Sequence, residues 1–421
     1  TRTDLQDIIF LDFIGQRREL FPFAADGAYA LYDVSNATRP VLSRKDKVGN
    51  VAIDSISKLD EGKYFLKLEN GSKQLFSLIS STSTAEINVI TTHDKKGVYG
   101  MILKDDGLLQ DTWKISLKES EEIVAYAARA DVPVANIGVT LGNRTVLYKY
   151  LYPNLASYVV SDEKSGSIFV HLIDTITGEL LYSQFHDEKV DHHAPINIVF
   201  SENWFVYSFF SSVPLPEQKL VVVELYESLE ADSRVSSPSG EYNSLKSVNK
   251  LKTISNAYFF PEVIKRMTVS STRYQISVRA VILELENGQM TYLSKAILSA
   301  RRVEESKMTD NDKKEFMAMP YISTIPLNDH FIITHSRNLL MGENAQLVSI
   351  ATNLESTSII CGIGHDIFCT KIYPSGQFDT MSPSFEKGKL LATILGLFVL
   401  CYLLRPSVET AKLKSQWLVR S

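Results

Sequence analysis

The chain is built from short apolar runs separated by turns. Gly97–Leu103 and Asp111–Leu117 flank Asp105-Asp106-Gly107, and Ser167–Ile173 and Leu180–Phe185 flank Asp174-Thr-Ile-Thr-Gly178. Ala280–Leu285 and Gln289–Leu293 flank Asn287-Gly288, and Tyr64–Leu68 and Gln74–Leu78 flank Asn70-Gly71. Asn-Gly and Asp-Gly tolerate the positive φ that matches strand twist, so each pair predicts a β-hairpin. Hairpins recurring every few tens of residues form a degenerate repeat. A β-propeller is the simplest architecture that stacks them without exposing long edges. A β-sandwich, or a pair of unrelated β domains, is the alternative. The first apolar run, within Asp7–Phe13, already has strand character, and no charged-then-apolar leader precedes it. The expected organisation is a β-rich region over residues 1–380 with an N-terminal portion missing.

Two stretches break the rhythm. Ser228–Lys252 is polar, with Ser-Ser-Pro-Ser-Gly at 236–240, and predicts a long surface loop. Arg301–Lys314 is charged and predicts a solvated linker or a frayed helix.

Near the C-terminus the period changes. Leu390–Leu404 holds 15 residues without a charge and without a polar stripe, which separates it from a helix packed on one face. Ser382 is the predicted N-cap, Pro383 the first helical residue and Pro406 the stop, so the helix is expected over 381–406 and a tail over 407–421. Its apolar part spans about 22 Å, short of a bilayer core of ~27 Å, and Lys387, Lys389 and Arg405 would snorkel to cover the difference. Basic residues are slightly in excess on the tail side (Arg405, Lys412, Lys414 and Arg420 against Glu409), which favours a cytosolic C-terminus.

Composition adds exclusions. The 421 residues are 44% hydrophobic and 22% charged with net charge −5, and no basic stripe offers a surface to nucleic acid. Three sequons, at Asn36, Asn70 and Asn143, suit the non-cytosolic side as N-glycosylation candidates. His186, His192 and His193 fall within eight residues and are weak candidates for a metal site, at what reads as a polar loop tip. Cys361 and Cys369 stand symmetrically about His365; in a hairpin turning there they would form a cross-strand disulfide, and two free buried thiols are the other reading. No nucleophile elbow, phosphate-binding loop or zinc motif is present, so neither catalytic residue nor cofactor is expected.

Several segments taken together resemble a known family. Leu151-Tyr-Pro-Asn-Leu-Ala156, Ser201-Glu-Asn-Trp-Phe-Val-Tyr207, Phe259-Phe-Pro-Glu-Val-Ile-Lys265, Ala300-Arg-Arg302, Asn353-Leu-Glu-Ser-Thr-Ser-Ile-Ile360 and Gly364–Asp379 occur in the order found in subunit 1 of the endoplasmic reticulum membrane protein complex. The likeness covers residues 140–421 and is strongest to budding-yeast members; His365 stands where an aliphatic residue is expected. The resemblance implies quinoprotein-like propeller blades in the lumen, one C-terminal span in the endoplasmic reticulum membrane and a short cytosolic tail. It implies a non-catalytic scaffold supporting insertion of tail-anchored and multipass clients, with the other subunits, membrane lipid and client membrane proteins as partners. The alternatives are a single-span lumenal receptor or chaperone-binding protein, and a quinoprotein-type oxidoreductase. The last needs a cofactor stacked on tryptophan beside adjacent cysteines, whereas Trp113, Trp204 and Trp417 are isolated and no cysteines adjoin.

Overall fold

Strands whose residues are apolar on both faces need a neighbour on each side, and this sequence supplies them in series. The computed structural model describes residues 7–14, 18–36, 39–49, 52–60, 62–78, 89–103, 109–130, 132–213, 215–236, 251–380 and 385–417. Among these, seven antiparallel sheets follow one another in chain order. Sheet 1 holds Ile8–Ile14, Glu19–Ala24, Ala28–Asp33 and Val41–Lys47; sheet 2 holds Ile53–Asp60, Lys63–Leu68 and Lys73–Ser77. Sheet 3 holds Val89–Asp94, Gly97–Leu103 and Leu109–Ser116; sheet 4 holds Glu121–Ala128, Leu155–Asp162, Ser167–Asp174 and Leu180–His186. Sheet 5 holds Asn197–Ser201, Trp204–Ser211, Glu217–Tyr226 and Lys252–Phe260. Sheet 6 holds Ile264–Val269, Ala280–Leu285 and Met290–Ser294; sheet 7 holds Gln346–Ala351, Ser358–Ile363 and Ile367–Ile372. A two-stranded ribbon, Gly138–Thr140 with Val146–Tyr148, interrupts sheet 4.

The core is a set of layers between successive sheets. Alternate residues of one strand point to opposite faces, so Phe205, Tyr207 and Phe209 pack toward sheet 4 while Trp204 and Val206 pack toward sheet 6. Val281 and Leu283 serve the layer with sheet 5, and their neighbours Ala280 and Ile282 the layer with sheet 7. Phe21, Tyr29 and Tyr64 fill the space between sheets 1 and 2, and Phe65 with Met101 that between sheets 2 and 3. These are the blades of a β-propeller, in which each sheet is sandwiched by its neighbours. All four predicted hairpins are antiparallel pairs, with registers such as Tyr64↔Phe76, Ile102↔Gln110, Leu172↔Tyr182 and Leu283↔Thr291. Asp105-Asp106-Gly107, the turn of one of them, lies outside the described residues.

Both breaks in the rhythm carry short helical pieces. Within Ser228–Lys252 a short helix forms at Ser233–Ser236, and residues 237–250 lie outside the described part. Arg301–Lys314 is more ordered than a linker. It holds a 3-10 turn at Glu305–Lys307 and a helix at Asp310–Lys314, whose start is fixed by a capping box between Thr309 and Asp312. Arg301 folds back into an ion pair with Glu315, half-buried on both sides.

Candidate membrane and assembly surface

The C-terminal helix runs Lys387–Trp417, 31 residues or about 46 Å. That corrects both predicted ends. Ser382 and Pro383 lie outside the described residues, and the first described helical bond runs from Leu390 N to Glu386 O at 3.3 Å. Pro406 does not stop the helix but sits inside it, so 407–417 continues the helix instead of forming a separate tail. A proline forfeits one backbone donor and crowds the carbonyl four residues before it. Here the chain beyond it holds itself in register through local bonds: Arg405 pairs with Glu409 at 3.0 Å, and Thr410 Oγ1 donates to Pro406 O at 2.9 Å. Leu390, Leu391, Ile394, Leu397, Phe398 and Leu403 are all exposed, and none of the helix's most apolar window is buried against the sheets. At the near end Lys389 pairs with Glu386, and Lys387 there and Arg405 beyond the apolar run are exposed as well.

Sheet 7 is the last sheet in the chain before the helix. Cys361 and Cys369 face each other across its second and third strands and are joined in a disulfide, Cα–Cα 4.2 Å, so the cross-strand reading holds. From Ile372 the chain leaves the sheet, and Asp379 accepts from Ser356 N at 3.0 Å and from the Ser356 hydroxyl. Those bonds hold the Asp379 carboxyl below the usual carboxylate range. Next to Ser356, Glu355 is 9% exposed and turns its carboxylate into the loop between the first two strands of sheet 6. It accepts from Thr272 Oγ1 at 2.7 Å and from the backbone N–H of Tyr274, Ile276 and Ser277 at 2.7, 2.6 and 3.2 Å. Burial pushes its pKa up, but these donors outweigh it and the net direction is down.

A cavity of 270 Å³ opens at this end between sheets 5 and 6, walled by residues 301–319. Its floor is an ionic network. Glu224, 5% exposed, accepts from Lys295 Nζ and Tyr226 OH at 2.5 Å each and from Ala300 N at 2.9 Å. Lys295 also lies over the Trp204 ring, 5.3 Å from its centroid. Burial alone would raise the Glu224 pKa; the lysine charge and the donors bring it instead to about 2. Glu202 pairs with Lys149 at 3.1 Å and Arg279 at 3.2 Å. Every acid in this network is matched by a base or a donor, which is the arrangement of a structural joint.

The histidines are not brought together. His186 Nε2 bonds Tyr207 OH at 2.7 Å, His192 Nδ1 bonds Ser161 Oγ at 2.6 Å and His193 is exposed; among the described residues no group of three metal-ligating side chains forms. Asn70 and Asn143 are exposed, and each Oδ1 caps its own turn, accepting from Ser72 and Thr145 hydroxyls at 2.6 Å. Asn36 is exposed, with Thr38 of its sequon outside the described residues. Sequence reasoning gave no role to Glu355 or Glu224. Glu355 did lie inside a segment that carries the family resemblance, but its partners are about eighty positions away and no local pattern joins them.

Comparison with known proteins agrees over most of the chain. The family model described as "ER membrane protein complex subunit 1, second beta-propeller" matches residues 10–375. ER membrane protein complex subunit 1 of Saccharomyces cerevisiae is 48% identical over 417 residues, 96% of this chain and 55% of that protein. The Schizosaccharomyces pombe protein of the same name is 29% identical over 93% of this chain and 44% of its own length, and that of Xenopus laevis 26% identical over 77% and 32%. The chain thus spans about half the length of the first of these relatives, and less of the others.

Proposed function

Since the chain belongs to the family of ER membrane protein complex subunit 1, we propose that it is the propeller and anchor of a non-catalytic scaffold in that complex. The bulk stands in the lumen, the helix crosses the endoplasmic reticulum membrane, and the C-terminus is cytosolic. The scaffold supports insertion of tail-anchored and multipass clients by holding the other subunits in place.

One observation carries this reading: an apolar helix with its whole span uncovered is joined to a rigid stack of sheets. Lipid tails and neighbouring membrane helices are the surroundings in which such a surface is stable. Within that stack Glu224 of sheet 5 is bonded to Lys295, just past the last strand of sheet 6, at 2.5 Å, which ties one blade to the next as a scaffold requires. Affinity purification of the tagged full-length protein from mild detergent tests the proposal. Recovery of a fixed set of small membrane subunits, with insertion of a tail-anchored client lost when the protein is depleted, is expected. Recovery of the protein alone, with client insertion unchanged on depletion, overturns it.

A further inference from the structure

The loop joining the first two strands of sheet 6, residues 270–279, is built in an unusual way. Three of its uncharged polar residues are buried while a tyrosine and an isoleucine face outward. Thr272, Gln275 and Ser277 are buried, while Arg273, Tyr274 and Ile276 are exposed, Tyr274 at 54% and Ile276 at 60%. This arrangement is enforced. The Glu355 carboxylate gathers the N–H groups of Tyr274, Ile276 and Ser277. Gln275 takes a positive φ of 57° and turns its amide back onto Thr272 O at 2.6 Å. Val278 N donates to Ser375 Oγ at 2.9 Å, which fastens the loop to the chain leaving sheet 7. A loop held this firmly with a tyrosine and an isoleucine facing out is organised to meet something apolar.

Its position says what. Sheet 7 is an antiparallel meander, so the connection after its first strand and the exit after its third lie at the same end. Glu355 and Ser356 belong to that connection and Asp379 to the exit. From Asp379 to Lys387, where the helix is under way, the chain has eight residues and reaches at most about 28 Å. Phe378, 58% exposed, and Leu354, 38% exposed, stand at the same end. The opposite end, with the turn at 364–366, is a strand length farther from the helix. Tyrosine with one end apolar and one polar, and arginine with an apolar stem, are the residues that settle at a membrane–water boundary. Arg273 lies over the Tyr274 ring, 5.2 Å from its centroid, and brings a positive charge to the headgroup level.

We propose that the loop 270–279, clamped by Glu355, is an interfacial foot: Tyr274 and Ile276 enter the headgroup region of the bilayer that the C-terminal helix crosses, and Arg273 meets lipid phosphate. The foot fixes the tilt of the propeller over the membrane, which one helix alone leaves free. The proposal rests on the reading of Leu390–Leu404 as a span.

The test uses the full chain reconstituted in vesicles of phosphatidylcholine and phosphatidylserine carrying nitroxide at a shallow or a deep position. A fluorophore is attached at Cys401, which is free and exposed on the helix, or, with Cys401→Ser, at Ile276→Cys, Tyr274→Cys or Leu340→Cys. Leu340 is exposed and bonds Asp366 at the far turn. Deep nitroxide is expected to quench the label at 401. Shallow nitroxide is expected to quench 274 and 276 several-fold more than 340, with aqueous iodide showing the reverse order. Adding Glu355→Ala to the 276 label lowers its lipid quenching. Labels at 274 and 276 as open to iodide as that at 340 overturn the proposal. So do labels shielded from both quenchers, since that is the mark of a protein partner. Absence of deep quenching at 401 overturns the spanning reading itself, and is told apart from the other failures by that label alone.

Discussion

Glu224 is a carboxylate with 5% of its surface exposed, a setting in which an isolated acid would take up a proton. It stays charged because Lys295, Tyr226 and the Ala300 N–H all face it. Removing the lysine leaves the acid buried and uncompensated, so Lys295→Met is expected to cost about 3–5 kcal/mol. Adding Glu224→Leu removes the orphaned charge and should restore most of the loss. Denaturant midpoints of the full chain in detergent, compared across the two single variants and the double, measure both. The pH dependence has a fixed sign. The folded pKa of about 2 lies below the ordinary 4.5, so the stabilisation is complete above pH 4.5 and is lost as pH falls from there toward 2. In the Glu224→Leu, Lys295→Met double variant that part of the acid sensitivity disappears; an unchanged acid midpoint would show that other carboxylates set it.

Sheets 3 and 4 are coupled through a close approach that only glycine permits. Trp113 of sheet 3 donates from Nε1 to Ile176 O at 2.9 Å and lays its ring on Gly178, where an added Cβ would come within 2.6 Å of Trp113 Cδ2. Gly178 also holds φ at +75°, so Gly178→Ala meets both strain and overlap, and a loss of about 1–3 kcal/mol is expected. Quenching of tryptophan fluorescence together with a lowered denaturant midpoint would register it; a neutral effect would mean that the two blades are not mechanically joined there. Asp174-Thr-Ile-Thr-Gly178 was legible in the sequence as a turn because Asp and Gly there have local duties: Asp174 Oδ1 accepts from Ile176 N at 2.8 Å. The hairpins as a class were legible for the same reason, and so was the apolar helix. What the turn would touch was not. Nor was the fourth strand of sheet 1, Val41–Lys47, exposed along its whole length and carrying charge where a strand pattern would need alternation. The continuation of the helix through Pro406 depends on bonds made after the proline, which a rule about the proline alone misses. The Glu355 clamp depends on two sheets being neighbours, which is information the propeller supplies and the local sequence does not.

At the scale of the whole molecule, the proposed placement of the sheets in the lumen draws on the charges at the two ends of the helix. Lys389 is offset by Glu386 and Arg405 by Glu409, so the bias rests on Lys387 at one end and on Lys412, Lys414 and Arg420 at the other. The sequons offer a sharper test. Asn70 and Asn143 stand on exposed turns well away from the blade interiors, and glycan bulk can be accommodated there without displacing core. With the sheets in the lumen, the protein made in the presence of endoplasmic reticulum membranes is expected to gain mobility on endoglycosidase treatment. Asn70→Gln and Asn143→Gln should each remove one step, and a sequon added beyond Ser421 should stay unmodified. Modification of that added sequon, with none at Asn70 or Asn143, would reverse the orientation. It would put the interfacial loop on the cytosolic side and leave the lumenal scaffold without support, whereas the fold, the clamp at Glu355 and the exposed helix would all stand unchanged.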